Sequence, residues 1–198
     1  MAQLMADPQR LSALQSMFER TANAPLRPAP GSSSLANLDI ANLIVELEFH
    51  LPMPQLKLAQ LAALGPKFGL PALLDIATPE PLSGMLQGFI DLVFFDQGRY
   101  YVLDYKTNAL GDCLMDYRAE SIAAEMARHH YHLQHLLYQL ALHRYLLVNL
   151  PGYQFEQHFG GAIYLFLRGF ARGPELGYFH HRASLELIAE LSEVLGGS

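Results

Sequence analysis

The stretch from Gly88 to Asn108, GFIDLVFFDQGRYYVLDYKTN, places the strongest constraint on how this chain folds. It contains two runs of aromatic and β-branched residues, Phe89 to Phe95 and Arg99 to Tyr105, and this composition is typical of half-buried strands. The segment between them, Asp96 to Gly98, has turn chemistry, because its glycine can take a positive φ. The stretch therefore predicts a β-hairpin.

The turn decides which side chains face each other across this hairpin. If Gln97 and Gly98 are the two loop residues, Asp91 lies opposite Asp104, and directly opposed side chains lie roughly 4.5–5.5 Å apart at Cβ. Lys106 is two residues beyond Asp104 and therefore shares its face. If Gly98 instead forms a bulge in a three-residue loop, the carboxylates become diagonal neighbours. Both pairings bring two acidic groups and a lysine together.

Two carboxylates at this separation repel each other, so stability does not explain them. A divalent cation removes the conflict, because ions such as Mg²⁺ take oxygen ligands and are commonly held by one or two carboxylates plus substrate phosphates. The alternative is that Asp104 and Lys106 are ordinary polar residues on a solvated strand face. The presence of Asp91 at hairpin distance favours a metal site.

Asp91 followed by Asp104-Tyr105-Lys106 resembles the PD-(D/E)xK nuclease signature. The surrounding sequence, from about Glu46 to Gly169, resembles the C-terminal nuclease domain of the RecB family, the β subunits of exodeoxyribonuclease V. The segments that carry this resemblance are GFIDLVF, GRYYVLDYKTN, YHLQHLLYQLALHRYL and HFGGAIYLFLRG. It implies an α/β fold over residues 1–198, with a mixed central sheet flanked by helices and a PD-(D/E)xK restriction-endonuclease-like core.

The resemblance also implies what the residues of the hairpin do. Asp91, Asp104 and the backbone carbonyl of Tyr105 would bind one or two Mg²⁺ ions. Lys106 would orient the attacking water or neutralise charge that develops on the phosphate. The implied reaction is hydrolysis of DNA phosphodiesters.

A polar stripe on a predicted helix offers a second group of candidates. Gln134 and Tyr138 are four residues apart in the helix predicted from Tyr131 to Asn149, and His130 falls one turn earlier on that face. If the stripe is buried it needs partners, because an unpaired polar group costs about 1–3 kcal/mol. Spacing alone leaves open whether Gln134 and Tyr138 merely bond each other or a nearby loop. The resemblance favours function, since the two match the QxxxY motif that the family places beside its active centre.

The partners follow from the same resemblance. It implies an exodeoxyribonuclease of double-strand-break repair and recombination, in which a helicase delivers a single DNA strand and RecC- and RecD-like subunits and a RecA-like recombinase bind. The rival hypothesis is a non-catalytic docking module for a recombinase or helicase. Opposed carboxylates favour catalysis, because a docking module has no use for them.

The chain departs from the family at one metal ligand. RecB-like nucleases carry a further ligating histidine on a helix upstream of the first aspartate, whereas residues 1–40 contain no histidine and His50 lies on a predicted strand. The chain is therefore predicted to be a C-terminal part of a longer helicase-nuclease that begins after this ligand. We expect weak metal binding and slow cleavage from the chain by itself.

Composition narrows the cellular setting and the mode of DNA binding. The net charge of −6 and only 13 Lys and Arg residues predict poor autonomous affinity for DNA, which depends on cationic side chains. The chain shows no apolar run of membrane-spanning length and no secretory signal. With Cys113 as its single cysteine, it is expected to reside in the reducing cytoplasm.

Periodicity and breaker residues predict the remaining elements. The predicted helices are Pro8–Asn23, Gln55–Leu64, Ala72–Ile76, Tyr117–His129 and Ser184–Leu195; the predicted strands outside the hairpin are Ala41–Leu51 and Ala162–Leu167; residues 24–35 and 80–87 are predicted loops.

Two further groups of residues have open roles. Glu46 and Glu48 would either support the metal site from a neighbouring strand or lie on the solvent-exposed face of their own strand. Five histidines between His129 and His143 lack the four-residue spacing that pairs zinc ligands on a helix, and no cysteine cluster joins them. Their predicted role is contact with DNA phosphates, with Arg118 and Arg128, or plain solvent exposure.

Overall fold

A computed structural model describes residues 8–75, 80–173 and 175–196, which form one mixed five-stranded sheet in the order β1-β2-β3-β4-β5. The parallel pair is β3 with β4, and the other neighbours are antiparallel. The strands are β1 (Leu43–Leu56), β2 (Leu82–Asp96), β3 (Arg99–Lys106), β4 (Phe159–Phe166) and β5 (Tyr178–His181). This arrangement confirms the predicted α/β class with a mixed central sheet.

The helices lie outside this sheet. They are α1 (Pro8–Asn23), α2 (Leu58–Lys67), α3 (Ala119–Arg128), α4 (Tyr131–Asn149), α5 (Phe155–His158) and α6 (Leu185–Val194), with single 3₁₀ turns at Leu35–Asn37, Ile40–Asn42 and Leu114–Tyr117. Among the described residues, no helix is both long and apolar enough to cross a membrane.

The predicted hairpin has the predicted register. Gln97 and Gly98 both take positive φ, 49° and 81°, which is the requirement of a two-residue type I′ turn. The pairing runs from Asp96 opposite Arg99 to Leu92 opposite Leu103, without a bulge. Gln97 holds its strained backbone through side-chain hydrogen bonds to Arg27 and to the carbonyl of Pro30.

The core has two parts because β3 and β4 bury alternate residues on opposite faces. Tyr164 and Phe166 belong to the larger cluster, together with Leu136 and Leu140 of α4. On the other face, Ile163 and Leu165 pack in a smaller cluster with residues such as Leu26. Helix α4 therefore lies against the face of β3 that carries Asp104 and Lys106.

Several element boundaries differ from the predictions. Residues 80–87 are not a loop, because β2 already begins at Leu82 and pairs with β1; this pairing overrides the low strand propensity of Ser83 and Gly84. Strand β5 was not predicted at all.

The helix predictions contain errors of the same kind. Residues 55 and 56 end β1, and the following helix is α2, shifted to Leu58–Lys67. Residues 72–75 are not helical, and Ile76 lies outside the described residues. Helix α3 begins at Ala119 rather than Tyr117. In contrast, α1 and α4 have their predicted bounds, and Ser184 caps α6 by accepting a hydrogen bond from Leu187 N.

Candidate active site

The site lies where the β2–β3 ladder ends, one residue beyond the last pair, Leu92 and Leu103. There the backbone N–H of Tyr105 donates to Oδ2 of Asp91 at 3.0 Å. The Asp91 carboxylate therefore sits beside Asp104 and Tyr105. This arrangement brings together the residues that the sequence placed across the hairpin, although the carboxylate also has a backbone partner that the sequence did not reveal.

Lys106 connects the hairpin to helix α4. Its ammonium lies 2.7 Å from Oδ2 of Asp104 and donates to Oε1 of Gln134 at 2.9 Å. The same ammonium is 4.0 Å from the ring centroid of Tyr131 and 5.0 Å from that of Tyr164. Two aromatic faces, a carboxylate and an amide oxygen thus hold one cation in a site from which water is largely excluded.

Gln134 is the centre of a hydrogen-bond network on α4. Its Nε2 donates to the hydroxyl of Tyr138 at 3.0 Å, and its Oε1 also accepts from the hydroxyl of Tyr164 at 3.1 Å. Gln134 and Tyr138 therefore bond each other, and Gln134 also contacts Lys106; a functional role for the pair stays a prediction. Tyr164 on β4 was missed, since no local pattern in the sequence relates it to α4.

Burial sets the charge state of Asp104. The residue is only 3% exposed, and burial raises its pKa to about 6; the Lys106 ammonium opposes this rise, and the Asp91 carboxylate adds to it. Oδ2 is an ion-pair partner of Lys106, but it is also buried and accepts no hydrogen bond of acceptable geometry within the described residues. Asp104 is therefore not a residue of a solvated strand face.

Burial and the two carboxylates also raise the pKa values of neighbouring tyrosines. Burial raises the pKa of the Tyr105 phenol to about 12, with a further contribution from Asp91. The pKa of Tyr138 is also raised, first by burial and then by the two carboxylates. Both phenols are neutral near pH 7, so they can donate hydrogen bonds.

The donor set suits a hard divalent cation but is small. Asp91 and Asp104 supply two carboxylates; among the described residues the buried Oδ2 of Asp104 has the Lys106 ammonium as its partner, which leaves a lone pair for a cation. Among residues 8–75, 80–173 and 175–196, no group of three or more His, Cys, Asp or Glu side chains is placed to hold a metal ion. The two carboxylates therefore need help from backbone carbonyls, water or substrate phosphates.

The two glutamates of β1 have different positions. The register of β1 and β2 places Glu46 across from Asp91, where the ladder is interrupted and Glu46 takes a φ of 53°. Glu48 is occupied at the surface, accepting from Gln87 Nε2 at 2.6 Å and lying 3.2 Å from His50. Of the two candidates, only Glu46 is aligned with the carboxylates of the site.

The histidines of α4 do not form the solvated face that was predicted. His135 is fully buried and His132 is 6% exposed; Nδ1 of His132 lies 3.3 Å from Nε2 of His135, whose ring is 4.8 Å from that of His181 on β5. Burial lowers the pKa of all three imidazoles, to about 4 for His181. They stay neutral in the core, so contact with DNA phosphates is wrong for His132 and His135.

A clamp behind the site was also missed. Asn108, two residues after Lys106, donates to Oε1 of Glu125 at 2.7 Å and lies 3.4 Å from the hydroxyl of Tyr131. Glu125 is 7% exposed and is further bound by Arg128 at 2.6 Å. This clamp fixes the segment after β3 and the ring that covers Lys106.

Comparison with known proteins agrees with this geometry. The sequence profile described as the PD-(D/E)XK nuclease superfamily matches residues 9–193. The chain belongs to this superfamily.

Individual relatives point to a narrower group. The chain is 45% identical over 171 residues to the RecBCD enzyme subunit RecB of Escherichia coli K12, which covers 83% of this chain and 14% of that protein. The subunit of the same name from Haemophilus influenzae is 50% identical over 115 residues, 58% of this chain and 10% of the relative. The Mycobacterium tuberculosis subunit is 32% identical over 204 residues, which cover 87% of this chain and 18% of that relative. The chain thus spans less than a fifth of the length of these relatives.

Proposed function

We propose that this chain is a Mg²⁺-dependent DNA nuclease domain of RecB type. The observation that carries the proposal is the Lys106 ammonium, held between Asp104 Oδ2 and Gln134 Oε1 beside the Asp91 carboxylate. A cation and paired carboxylates at one point of a sheet are the groups that phosphodiester hydrolysis needs.

Asp91, Asp104 and the carbonyl of Tyr105 would hold the metal. A bound divalent ion supplies Lewis acidity and lowers the pKa of a coordinated water. Without a cation, the two carboxylates repel the phosphates of DNA, so the charge of the site makes substrate binding depend on the metal. The raised pKa of Asp104 adds a second condition, because a proton competes with the cation for this carboxylate and metal binding therefore weakens as the pH falls.

Lys106 would neutralise the charge that develops on the scissile phosphate. Its ammonium is already positioned by Gln134 and by two aromatic rings, so little reorganisation is needed during reaction. Gln134 and Tyr138 would act as positioning residues, since Gln134 accepts a hydrogen bond from the lysine and donates one to Tyr138. The hydroxyl of Tyr164 holds the same amide oxygen from β4.

The wider setting of the proposal comes from the relatives. Their name, RecBCD enzyme subunit RecB, supports an assignment to a helicase-nuclease complex with RecC- and RecD-like partners. We infer that the chain is one domain of such a protein, an exonuclease that receives a single DNA strand from the helicase during break repair and recombination. Recruitment of a RecA-like recombinase would be a further role of the same domain.

Degradation of labelled single-stranded DNA with Mg²⁺ tests the proposal. We expect slow cutting by the parent chain, because its donor set is small, and none in chelator. Lys106→Gln should reduce the rate at least ~100-fold, since charge stabilisation of this kind contributes about 10²–10³-fold in rate. Lys67→Gln, which removes a lysine exposed on α2, should keep the parent rate. Equal rates in the two variants would refute the assignment and leave the docking role.

Fusion to a helicase gives a second arm of this test. Tethering raises the local concentration of the strand, so cleavage should accelerate without any new contact at the site. An inactive fusion that still binds a recombinase would favour the docking hypothesis.

A further inference from the structure

A basic cleft of about 710 Å³ lies between helix α1 and the ends of β3 and β4. Four of the 13 Lys and Arg residues of the chain line it, and none of the described residues that line it is an Asp or Glu. The lining side chains that matter here are Arg10, Arg20, Arg168 and Arg172. A strongly positive surface is thus concentrated in one place on a chain whose net charge is −6.

The cleft begins next to the candidate active site. Thr107, which lines it, directly follows Lys106, and consecutive Cα atoms are about 3.8 Å apart. Arg168 donates from Nε to the carbonyl of Thr107 at 2.9 Å, and Leu167 N donates to the carbonyl of Lys106 at 2.9 Å. The cleft and the carboxylates therefore share one end of β3 but lie on opposite faces of the sheet.

Three arginines of the cleft differ from Arg27 and Arg182, whose guanidinium groups are paired with acidic side chains. Within the described ranges, Arg20, Arg168 and Arg172 form no ion pair. Arg20 donates to Ser16 Oγ at 2.7 Å, and its Nε is buried without a hydrogen-bond partner. Arg172 reaches only the carbonyl of Arg168, at 3.4 Å. Their charges remain available to an anion.

We propose that this cleft binds the sugar-phosphate backbone of a single DNA strand and guides it around the end of β3 to Lys106. The inference rests on the proposed nuclease function for the identity of the strand. Guanidinium groups match phosphate oxygens in a two-pronged geometry, whereas the cleft offers few groups that could read bases. The contact is therefore independent of sequence and depends strongly on salt.

Fluorescence anisotropy measures binding of a labelled 20-nucleotide oligothymidylate. The titration contains chelator, so the DNA is not cleaved. The variant is Arg20→Gln with Arg172→Gln. Its control is Lys57→Gln, just before α2, with Lys67→Gln at the end of α2, which removes two positive charges elsewhere. Each single-strand phosphate contact contributes about 0.7 to the slope of log K against log salt. We expect the cleft variant to lose about 1.4 from that slope and to bind at least ~10-fold more weakly at low salt, whereas the control keeps the parent slope.

A second pair of variants does not depend on losing an arginine. Ala13→Glu places a carboxylate among the residues that line the cleft, and Ala63→Glu places the same side chain on the exposed face of α2. Only Ala13→Glu should weaken binding of the oligonucleotide. Thermal unfolding of all variants checks that they are folded.

The outcomes separate this proposal from the nuclease assignment. Equal weakening in the cleft and control pairs, or no binding by the parent at low salt, would overturn the cleft even if Mg²⁺-dependent cutting is found. Selective loss in the cleft variants would support it even if the chain does not cut, because the titration contains no metal.

Discussion

The two ends of the central hairpin each bury a carboxylate, but the two carboxylates differ in how many hydrogen-bonding and charged partners they have. At the turn, Asp96 is 6% exposed, and both its oxygens have partners: Arg27 at 2.6 Å from Oδ2 and Ser33 Oγ at 2.8 Å from Oδ1. At the open end, Asp104 is 3% exposed and has one cation, which it shares with Gln134. In the described part of the chain, Asp104 Oδ2 has the Lys106 ammonium but no further partner, and the pKa of Asp104 rises to about 6.

This difference separates a structural carboxylate from one that is available to a ligand. Arg27 and Ser33 tie the loop before β1 to the turn, so Asp96 contributes to the fold. Asp104 is held in a place where its ionised form is disfavoured, and a bound divalent cation would reverse that preference. Substitutions at the two ends of the hairpin test this contrast, from the largest expected effect to the smallest.

Removing the arginine at the turn should have the largest effect. Arg27→Met leaves Asp96 buried without its counter-charge, and breaking a buried pair in this way costs about 3–5 kcal/mol. Urea unfolding at pH 7.5 measures the loss. As a control, Ser33→Ala removes only one hydrogen bond and should cost about 1 kcal/mol. A loss below 1 kcal/mol for Arg27→Met would show that Asp96 does not need its partner.

Neutralising the two aspartates in turn should change stability in opposite directions. Asp104→Asn resembles the protonated carboxyl, which the fold prefers, so in chelator it should raise the free energy of unfolding. A rise in pKa from 3.8 to about 6 corresponds to roughly 3 kcal/mol at most. Asp96→Asn loses charge-assisted hydrogen bonds and should lower that free energy by about 1–3 kcal/mol. Destabilisation by both variants would remove the distinction between the two ends.

The pH dependence of stability should carry the signature of Asp104. Because its folded pKa is raised, the folded state holds more protons than the unfolded state between pH 3.8 and about pH 6, so this contribution falls as pH rises through that window. The buried His132 and His135 and the partly buried His181 contribute the opposite slope, since their pKa values are lowered. Subtracting the urea-unfolding profile of Asp104→Asn from that of the parent cancels the histidines. A flat difference between pH 4 and pH 7 would contradict the raised pKa.

The smallest effect is expected at Asp91. Asp91→Asn can still accept the hydrogen bond of Tyr105 N through its amide oxygen, and it relieves repulsion with Asp104. We expect a gain of up to ~1 kcal/mol in chelator, measured by thermal unfolding, and loss of cleavage in an active enzyme. Asp91→Ala, which lacks the acceptor, is the matched control and should be less stable than Asp91→Asn. A clear loss in the asparagine variant would mean that the charge itself stabilises the hairpin.

Local patterns in the sequence account for the parts of the site that lie on one hairpin or one helix. Alternation and a two-residue turn were enough to predict the register, and therefore the proximity of Asp91, Asp104 and Lys106. The spacing of Gln134 and Tyr138 was enough to place them on one face of α4. Each of these relationships depends on residues that are close in the chain.

Contacts between distant segments could not be predicted in the same way. Tyr164 meets Gln134 only because β4 lies parallel to β3 beneath α4, and Arg168 reaches Thr107 only through that same pairing. The histidines of α4 were predicted to be exposed to solvent because no pattern in the sequence predicted β5, whose Phe179 and His181 cover them. The first part of β2 looked like a loop for a similar reason, since β1 supplies its hydrogen-bond partners.

The response of stability to Mg²⁺ tests most directly whether Asp104 is kept for a metal. Thermal unfolding of the parent, Asp96→Asn and Asp104→Asn is compared in chelator and in millimolar Mg²⁺, because a ligand that binds only the folded state raises its stability. The account predicts that Mg²⁺ stabilises the parent and Asp96→Asn but leaves Asp104→Asn unchanged. Equal stabilisation of Asp104→Asn and the parent would contradict it and place the metal elsewhere.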